Sequence, residues 1–216
     1  MCREKKKGLG FGLELFPKLS QNESNVCASA AKGGQLEVLK WGRANGCPLE
    51  SSMRFLAAEG GHLEVLLWAR ANGCPWNEMT CAGAAHRGEI ELLRWLRAND
   101  CPWDHNTCAN AAVDGHLELP QWLRANGCPW SVYTCTRAAE GGQVEVLRWA
   151  RAIGCPWNND TWMMAAHHGR LEALRWAIEN GLPCDRENWQ LCMSVAQMNG
   201  HLDMLTWLNE NQALSH

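Results

Sequence analysis

The sequence predicts an all-α solenoid of stacked antiparallel helix pairs, and three recurrences predict it. First, Cys47, Cys74, Cys101, Cys128 and Cys155 follow one another at a step of 27 residues, each preceding Pro. Second, Trp41, Trp68, Trp95, Trp122, Trp149 and Trp176 keep the same step. Third, an Ala-Ala pair stands ahead of each Trp, from Ala30-Ala31 to Ala165-Ala166, with Gly three residues further on, from Gly34 to Gly169. A fixed period of this size marks an array of units that bury their apolar faces only by stacking on one another. A seventh copy follows an insertion of four residues, where Ala196, Gly200, Leu202, Asp203 and Trp207 restore the pattern. The repeats then frame as 20–46, 47–73, 74–100, 101–127, 128–154, 155–181 and 182–212, forming a domain at 20–212 between an N-terminal segment, 1–19, and a short tail, 213–216.

Within repeat 74–100, Asn77 follows Pro-Trp and suits a helix N-cap, as do its equivalents Asp104, Ser131 and Asn158. Their side-chain oxygens can accept from backbone N–H groups left open at a helix start. Cys81, Ala84, Ala85 and Gly88 fall at i, i+3, i+4 and i+7, so small residues line one face of a first helix, helix A. Gly88 ends it. A second helix, helix B, runs from about Ile90 to Ala98 and stops at Asn-Gly or Asn-Asp, where left-handed backbone is wanted. Ile90, Leu92, Leu93, Trp95 and Leu96 cover most of its circumference and predict burial of the Trp ladder. The remaining stripe carries i,i+3 pairs such as Glu91/Arg94 and Glu145/Arg148. Pro120 lies in the first turn of the fourth helix B, where its missing N–H costs little, and predicts a local adjustment. In segment 1–19, Leu13, Leu15, Phe16 and Leu19 are read as a cap on the first repeat and the basic run before them as disordered.

The composition narrows the function classes. Twenty Lys+Arg against 23 Asp+Glu give a net charge of −3, without the basic excess of a general nucleic-acid binder. Twelve Cys without a signal peptide predict free thiols in a cytoplasmic or nuclear protein rather than a secreted disulfide framework. No run of about eighteen apolar residues occurs, so no membrane span is expected. Pairs such as Cys74/Cys81 and Cys101/Cys108 are seven apart, with no recurring His to complete four ligands, and are read as small buried hydrophobes. A metal- or redox-responsive Cys array is the alternative. No Ser-His-Asp, paired-carboxylate, phosphate-loop or HExxH arrangement is seen, and neither an enzyme nor a cofactor is expected. The row Arg43, Arg70, Arg97, Arg124 and Arg151 raises RNA binding as a second alternative. Rows of Glu beside it and the acidic net charge oppose that, and the expectation is a monomer with no nucleic-acid partner.

The repeat resembles the ankyrin family. Residues 60–74, GGHLEVLLWARANGC, are similar to that family's second helix and closing turn, and the resemblance extends over 20–212. It implies stacked helix pairs that bind other proteins. Ankyrin repeats have about 33 residues, whereas the period here is 27, and the missing residues fall where the family builds its projecting β-hairpin fingers. The fingers are therefore expected to be reduced or absent, with any surviving finger-like loop between Asp185 and Leu191.

The predicted partner surface is then the outward stripe of helix A, whose residues differ from copy to copy. It comprises Met79, Gly83 and His86; Asn106, Asn110 and Val113; Tyr133, Arg137 and Glu140; and Asp160, Met164 and His167, flanked by Arg87, Asp114 and His168. The expected function is a protein-interaction module or scaffold.

Overall fold

The computed structural model describes residues 23–49 and 51–212, and within them every regular element is a helix. Helix A of the successive repeats is α1 (Glu23–Lys32), α3 (Ser51–Glu59), α5 (Glu78–His86), α7 (His105–Ala111), α9 (Val132–Gly141), α11 (Asn159–His167) and α13 (Arg186–Met198). Helix B is α2 (Leu36–Ala44), α4 (Leu63–Ala71), α6 (Ile90–Ala98), α8 (Glu118–Ala125), α10 (Val144–Ala152), α12 (Leu171–Glu179) and α14 (Leu202–Glu210). Each helix A packs on its own helix B and on the helix A of the next repeat, from α1 on α3 to α11 on α13. The fold is an all-α helical-repeat solenoid. The expected capping role of Leu13, Leu15, Phe16 and Leu19, and the tail at 213–216, lie outside the described residues.

Local chemistry sets both ends of the helices. The predicted N-cap residues Asn77, Asp104, Ser131 and Asn158 all adopt extended backbone immediately before helix A. Asp104 accepts from the Asn106 N–H at 3.0 Å and Ser131 from the Tyr133 N–H at 3.3 Å. Helix B ends in a Schellman turn: in the second repeat the Cys74 N–H donates to Ala69 O at 3.0 Å and the Gly73 N–H to Arg70 O at 3.3 Å. The Asn72 side-chain amide adds a bond to Trp68 O at 2.8 Å. This accounts for the recurrent Asn-Gly-Cys.

In the third repeat Asp100 holds the left-handed position with φ 61°, the only non-glycine residue with positive φ among the described residues. At the equivalent Gly73 and Gly127 an added Cβ meets nothing within 4 Å, so the local cost at this site is conformational, not steric crowding. Asp100→Gly is expected to stabilise the protein by about 1 kcal/mol. A urea titration reads it as a higher midpoint; an unchanged or lower midpoint contradicts the assignment.

The core runs along the stack. The Ala-Ala pairs from Ala30-Ala31 to Ala165-Ala166 are all buried, and their small side chains let neighbouring helix A backbones approach closely. From helix B, Leu39, Leu66, Leu93, Leu147 and Leu174 are fully buried at equivalent positions. Pro120 fills the same place in the fourth repeat and is buried as well. Its missing N–H shifts the helix start to Glu118, one residue later than in the other repeats, while the Leu119 N–H bonds back to His116 O at 3.1 Å. The adjustment is local.

At four junctions side-chain rungs tie a repeat to the one before. The residue preceding helix B reaches the carbonyl at the end of the previous helix A: His62 Nε2 lies 2.9 Å from Lys32 O, and Gln143 Nε2 donates to Val113 O at 2.8 Å. Arg170 Nε donates to Glu140 O at 3.0 Å, and His201 Nε2 lies 3.0 Å from His167 O. Each rung satisfies a carbonyl that the helix end leaves open.

Two sequence expectations are corrected here. The recurrent Trp residues of helix B are not buried: Trp68, Trp95, Trp122, Trp149 and Trp176 are half-buried and Trp41 is exposed. Trp95, Trp122, Trp149 and Trp176 pack edge-on against the Trp after the Cys-Pro of their own repeat, with centroids 5.4 Å apart for Trp76/Trp95 and 6.0 Å for Trp103/Trp122. Leu and Ala on the opposite side of the helix fill the core instead. The other correction concerns 185–191, where no finger-like loop forms. Asp185 caps a helix by accepting from the Asn188 N–H at 2.8 Å, and the inserted residues lengthen α13 to 13 residues.

Candidate partner-binding surface

The left-handed glycine that ends each helix A gives a register along the stack. Nine residues before it stand Ser52, Met79, Asn106, Tyr133, Asp160 and Leu191, in repeats two to seven. All are exposed except the half-buried Asp160. Three of them are large and apolar or aromatic: Met79 (41 %), Tyr133 (51 %) and Leu191 (44 %), in alternate repeats. His105 stacks on Tyr133 at 6.1 Å between ring centroids, propping the ring from the preceding repeat. Two residues before the glycine lie His86, Val113 and Glu140, which are half-buried, and His167 and Met198, which are exposed, with Met198 85 % exposed.

Not every predicted stripe residue reaches this surface. Gly83 is buried, and a Cβ there would stand 2.3 Å from Phe55 O, because this position faces the preceding helix A. The equivalent Asn110 donates to Ala82 O at 3.3 Å, and Arg137 donates to Asn110 Oδ1 at 3.4 Å and to Glu140 Oε2 at 2.6 Å. Met164, at the same position, is half-buried. Helix A thus presents a narrower edge than a full i, i+4, i+7 stripe, since one of the three positions knits neighbouring repeats together. Arg87, Asn106, Asp114, Tyr133, His167 and His168 remain exposed, while His86 and Val113 are half-buried. Glu59 lies 3.6 Å from His86 Nδ1 and 3.2 Å from Lys32 Nζ, so the edge carries its own cross-repeat ion pairing.

Leu191 and Met198 were missed by sequence reasoning. Counting from the start of the last repeat throws the four-residue insertion into the register; counting back from Gly200 places both residues in the exposed rows.

The Arg row has a different surrounding. Arg70, Arg97, Arg124 and Arg151 lie flat over Trp76, Trp103, Trp130 and Trp157, 3.9–4.2 Å from the ring centroids. Arg97, Arg124 and Arg151 also donate to the carbonyl of the following Cys, at 2.9 Å for Arg124 and Cys128. A guanidinium stacked on an aromatic face and bonded to a buried carbonyl joins one helix B to the next linker. Among the described residues no group of three or more His, Cys, Asp and Glu is placed to hold a metal ion, and no helix is long and apolar enough to cross a membrane.

Residues 163–208 match the family model for ankyrin repeats (many copies). That segment covers the last helices of the array, including the Gly200-His201-Leu202-Asp203 turn. No curated protein matches the sequence. Among solved structures, the fold is similar to the pentatricopeptide repeat protein PPR10 in complex with an 18-nt psaJ RNA element, at TM-score 0.51 and 15 % identity, over 87 % of this chain and 32 % of that one. A cysteine-to-serine variant of PPR10 in complex with the same RNA element gives TM-score 0.51 at 14 % identity, with the same coverage. The chain spans about a third of the length of that protein. At this identity the likeness is one of fold, a stack of helical hairpins. It overturns the expectation that nucleic acid is excluded as a partner: charge balance argued for that exclusion, yet the fold is shared with a protein solved on RNA.

Proposed function

We propose that the chain is a protein-interaction module that holds its partner along the exposed edge of helix A. The observation that carries this reading is the row Met79, Tyr133 and Leu191, solvent-facing at one register position of alternate repeats. Buried framework positions repeat from copy to copy, whereas this row changes its residue at every step. Large side chains held on rigid helices lose little conformational freedom on binding, and aromatic anchors of this kind carry much of the energy in protein interfaces. Asn106 and Asp160 between them supply polar contacts, and the match to ankyrin repeats at 163–208 supports interaction rather than catalysis.

The test is photo-crosslinking of the full chain in cell extract, with wild type compared against the triple variant Met79→Glu, Tyr133→Glu, Leu191→Glu. The variant is expected to lose at least about tenfold of the captured partner, the effect of removing one anchor of roughly 1.4 kcal/mol or more, with unchanged helical circular dichroism. Full capture by a folded variant would remove the proposal.

RNA binding is a second reading, supported by the fold shared with PPR10. Single-stranded RNA bound at low salt and released as salt rises would favour it over the first.

A further inference from the structure

The fold rearranges the cysteines. Sequence spacing pairs them seven apart, but in four repeats the stack brings the helix A cysteine against the linker cysteine 20 residues later. Cys27 and Cys47 are joined by a disulfide across this separation. Cys81/Cys101, Cys108/Cys128 and Cys135/Cys155 occupy the equivalent places as free, buried thiols. Cys81 Sγ lies 3.9 Å from Cys101 O, and Cys108 Sγ 3.9 Å from Cys128 O. The linker thiols point back to the N-cap carbonyls, with Cys101 donating to Asn77 O at 3.6 Å, Cys128 to Asp104 O at 3.4 Å and Cys155 to Ser131 O at 3.5 Å. At the other described junctions the pairing is absent: Arg54 stands opposite Cys74 and donates to Pro75 O, while Trp162 stands opposite Leu182.

We infer that these three junctions are dithiol sites that hydrogen peroxide converts to disulfides, each covalently joining a helix A to the linker that opens the next repeat. Two features besides proximity support it. A guanidinium, Arg97, Arg124 or Arg151, sits beside each linker cysteine. The hydroxyls of Thr107 and Thr134 are buried with no other hydrogen-bond partner, next in sequence to Cys108 and Cys135. For Cys155, a hydrogen bond from the Cys135 thiol is the largest influence holding its thiol below the ordinary value, with Thr134 and Arg151 adding to it; Cys101 is held down in the same way by Cys81, Thr80 and Arg97. Cys184 and Cys192 lack this surrounding, and burial pushes them up to about 11 and about 12. The thiolate is the form that reacts.

The chemistry balances in two steps. The Cys155 thiolate attacks one oxygen of hydrogen peroxide; the O–O bond breaks, hydroxide leaves and takes up a proton as water, and Cys155 becomes a sulfenic acid. The Cys135 sulfur, giving up its proton, then attacks the Cys155 sulfur; the S–O bond breaks, the S–S bond forms and a second water leaves. The two thiols are oxidised by two electrons and the peroxide is reduced. The same holds for Cys81/Cys101 and Cys108/Cys128. The Cα–Cα separation at the bridged Cys27/Cys47 is 7.1 Å, beyond the usual span of a disulfide, so closure at the equivalent pairs requires the linker to move toward its helix. Peroxide is small enough to enter through local opening at a repeat junction.

The experiment uses the full chain, reduced, freed of reductant and exposed to hydrogen peroxide. Remaining thiols are alkylated in denaturant and disulfide-linked peptides are mapped by mass spectrometry. The expected result is three new links, Cys81 to Cys101, Cys108 to Cys128 and Cys135 to Cys155, each with the loss of two hydrogens, while Cys74, Cys184 and Cys192 stay alkylatable. Cys155→Leu, which copies Leu182 at the equivalent place, abolishes the Cys135 link and leaves the other two; Cys135→Ala does the same from the other side should the first variant fail to fold. Over-oxidation of single cysteines without links, links between cysteines seven apart, or no reaction at all would each overturn the inference.

Discussion

Gly141→Val is expected to destabilise the junction between the fourth and fifth repeats by about 1–3 kcal/mol, the range for forcing extra methyl groups into a packed interface. Gly141 closes α9 at the point where it passes the turn after α7, the helix A of the fourth repeat, and a Cβ there would lie 1.9 Å from Val113 O. That atom is a backbone carbonyl already accepting from Gln143 Nε2 at 2.8 Å. Neither the oxygen nor the rung can move without separating the repeats. The equivalent place one repeat earlier holds Asp114, which is exposed, so the same substitution there is expected to change stability by no more than about 0.5 kcal/mol. Because stacked repeats unfold through nearest-neighbour interfaces, hydrogen exchange should locate the loss at the junction of the fourth and fifth repeats. Equal protection in wild type and Gly141→Val would show that the close approach is not sustained in solution.

Leu147→Ala is expected to cost about 2–5 kcal/mol, the span seen when a buried leucine is cut back and its surroundings collapse only partly. Leu147 is fully buried in α10, where α10 packs on both α9 and α12. The core there is built from alanines and leucines on short helices, which leaves few long side chains able to swing into a void. Leu67→Ala serves as the contrast, since Leu67 lies on α4 with 45 % of its surface open, and a change within about 0.5 kcal/mol is expected. Urea titrations of both variants decide this. Similar midpoint shifts for the two would mean that the column of leucines is not the centre of the core.

Much of the fold was legible because it is written in local chemistry. The Asn, Asp or Ser after Pro-Trp marks where helix A begins, and Asn-Gly-Cys marks where helix B ends, since capping and left-handed turns depend on residues within one turn of the chain. Repetition then extends one repeat to seven. Where local signals misled, a neighbouring repeat had intervened. The helix A stripe was counted as wholly outward, but Gly83, Asn110 and Arg137 face the preceding repeat. Trp95 was counted as core from helix periodicity, but the linker Trp76 offers it an aromatic face at the surface.

The sequence by itself determined the helices, their ends, the period and the small-residue face, because each follows from hydrogen bonding and side-chain size within about thirty residues. Only the tertiary structure decided which cysteines meet, which of three stripe positions remains open, and that the Arg row lies over Trp faces. Those outcomes depend on the offset and spacing between stacked repeats. No single repeat carries that information, since the offset is set by backbones meeting at Gly83 and Gly141 and by side chains that reach carbonyls one repeat away.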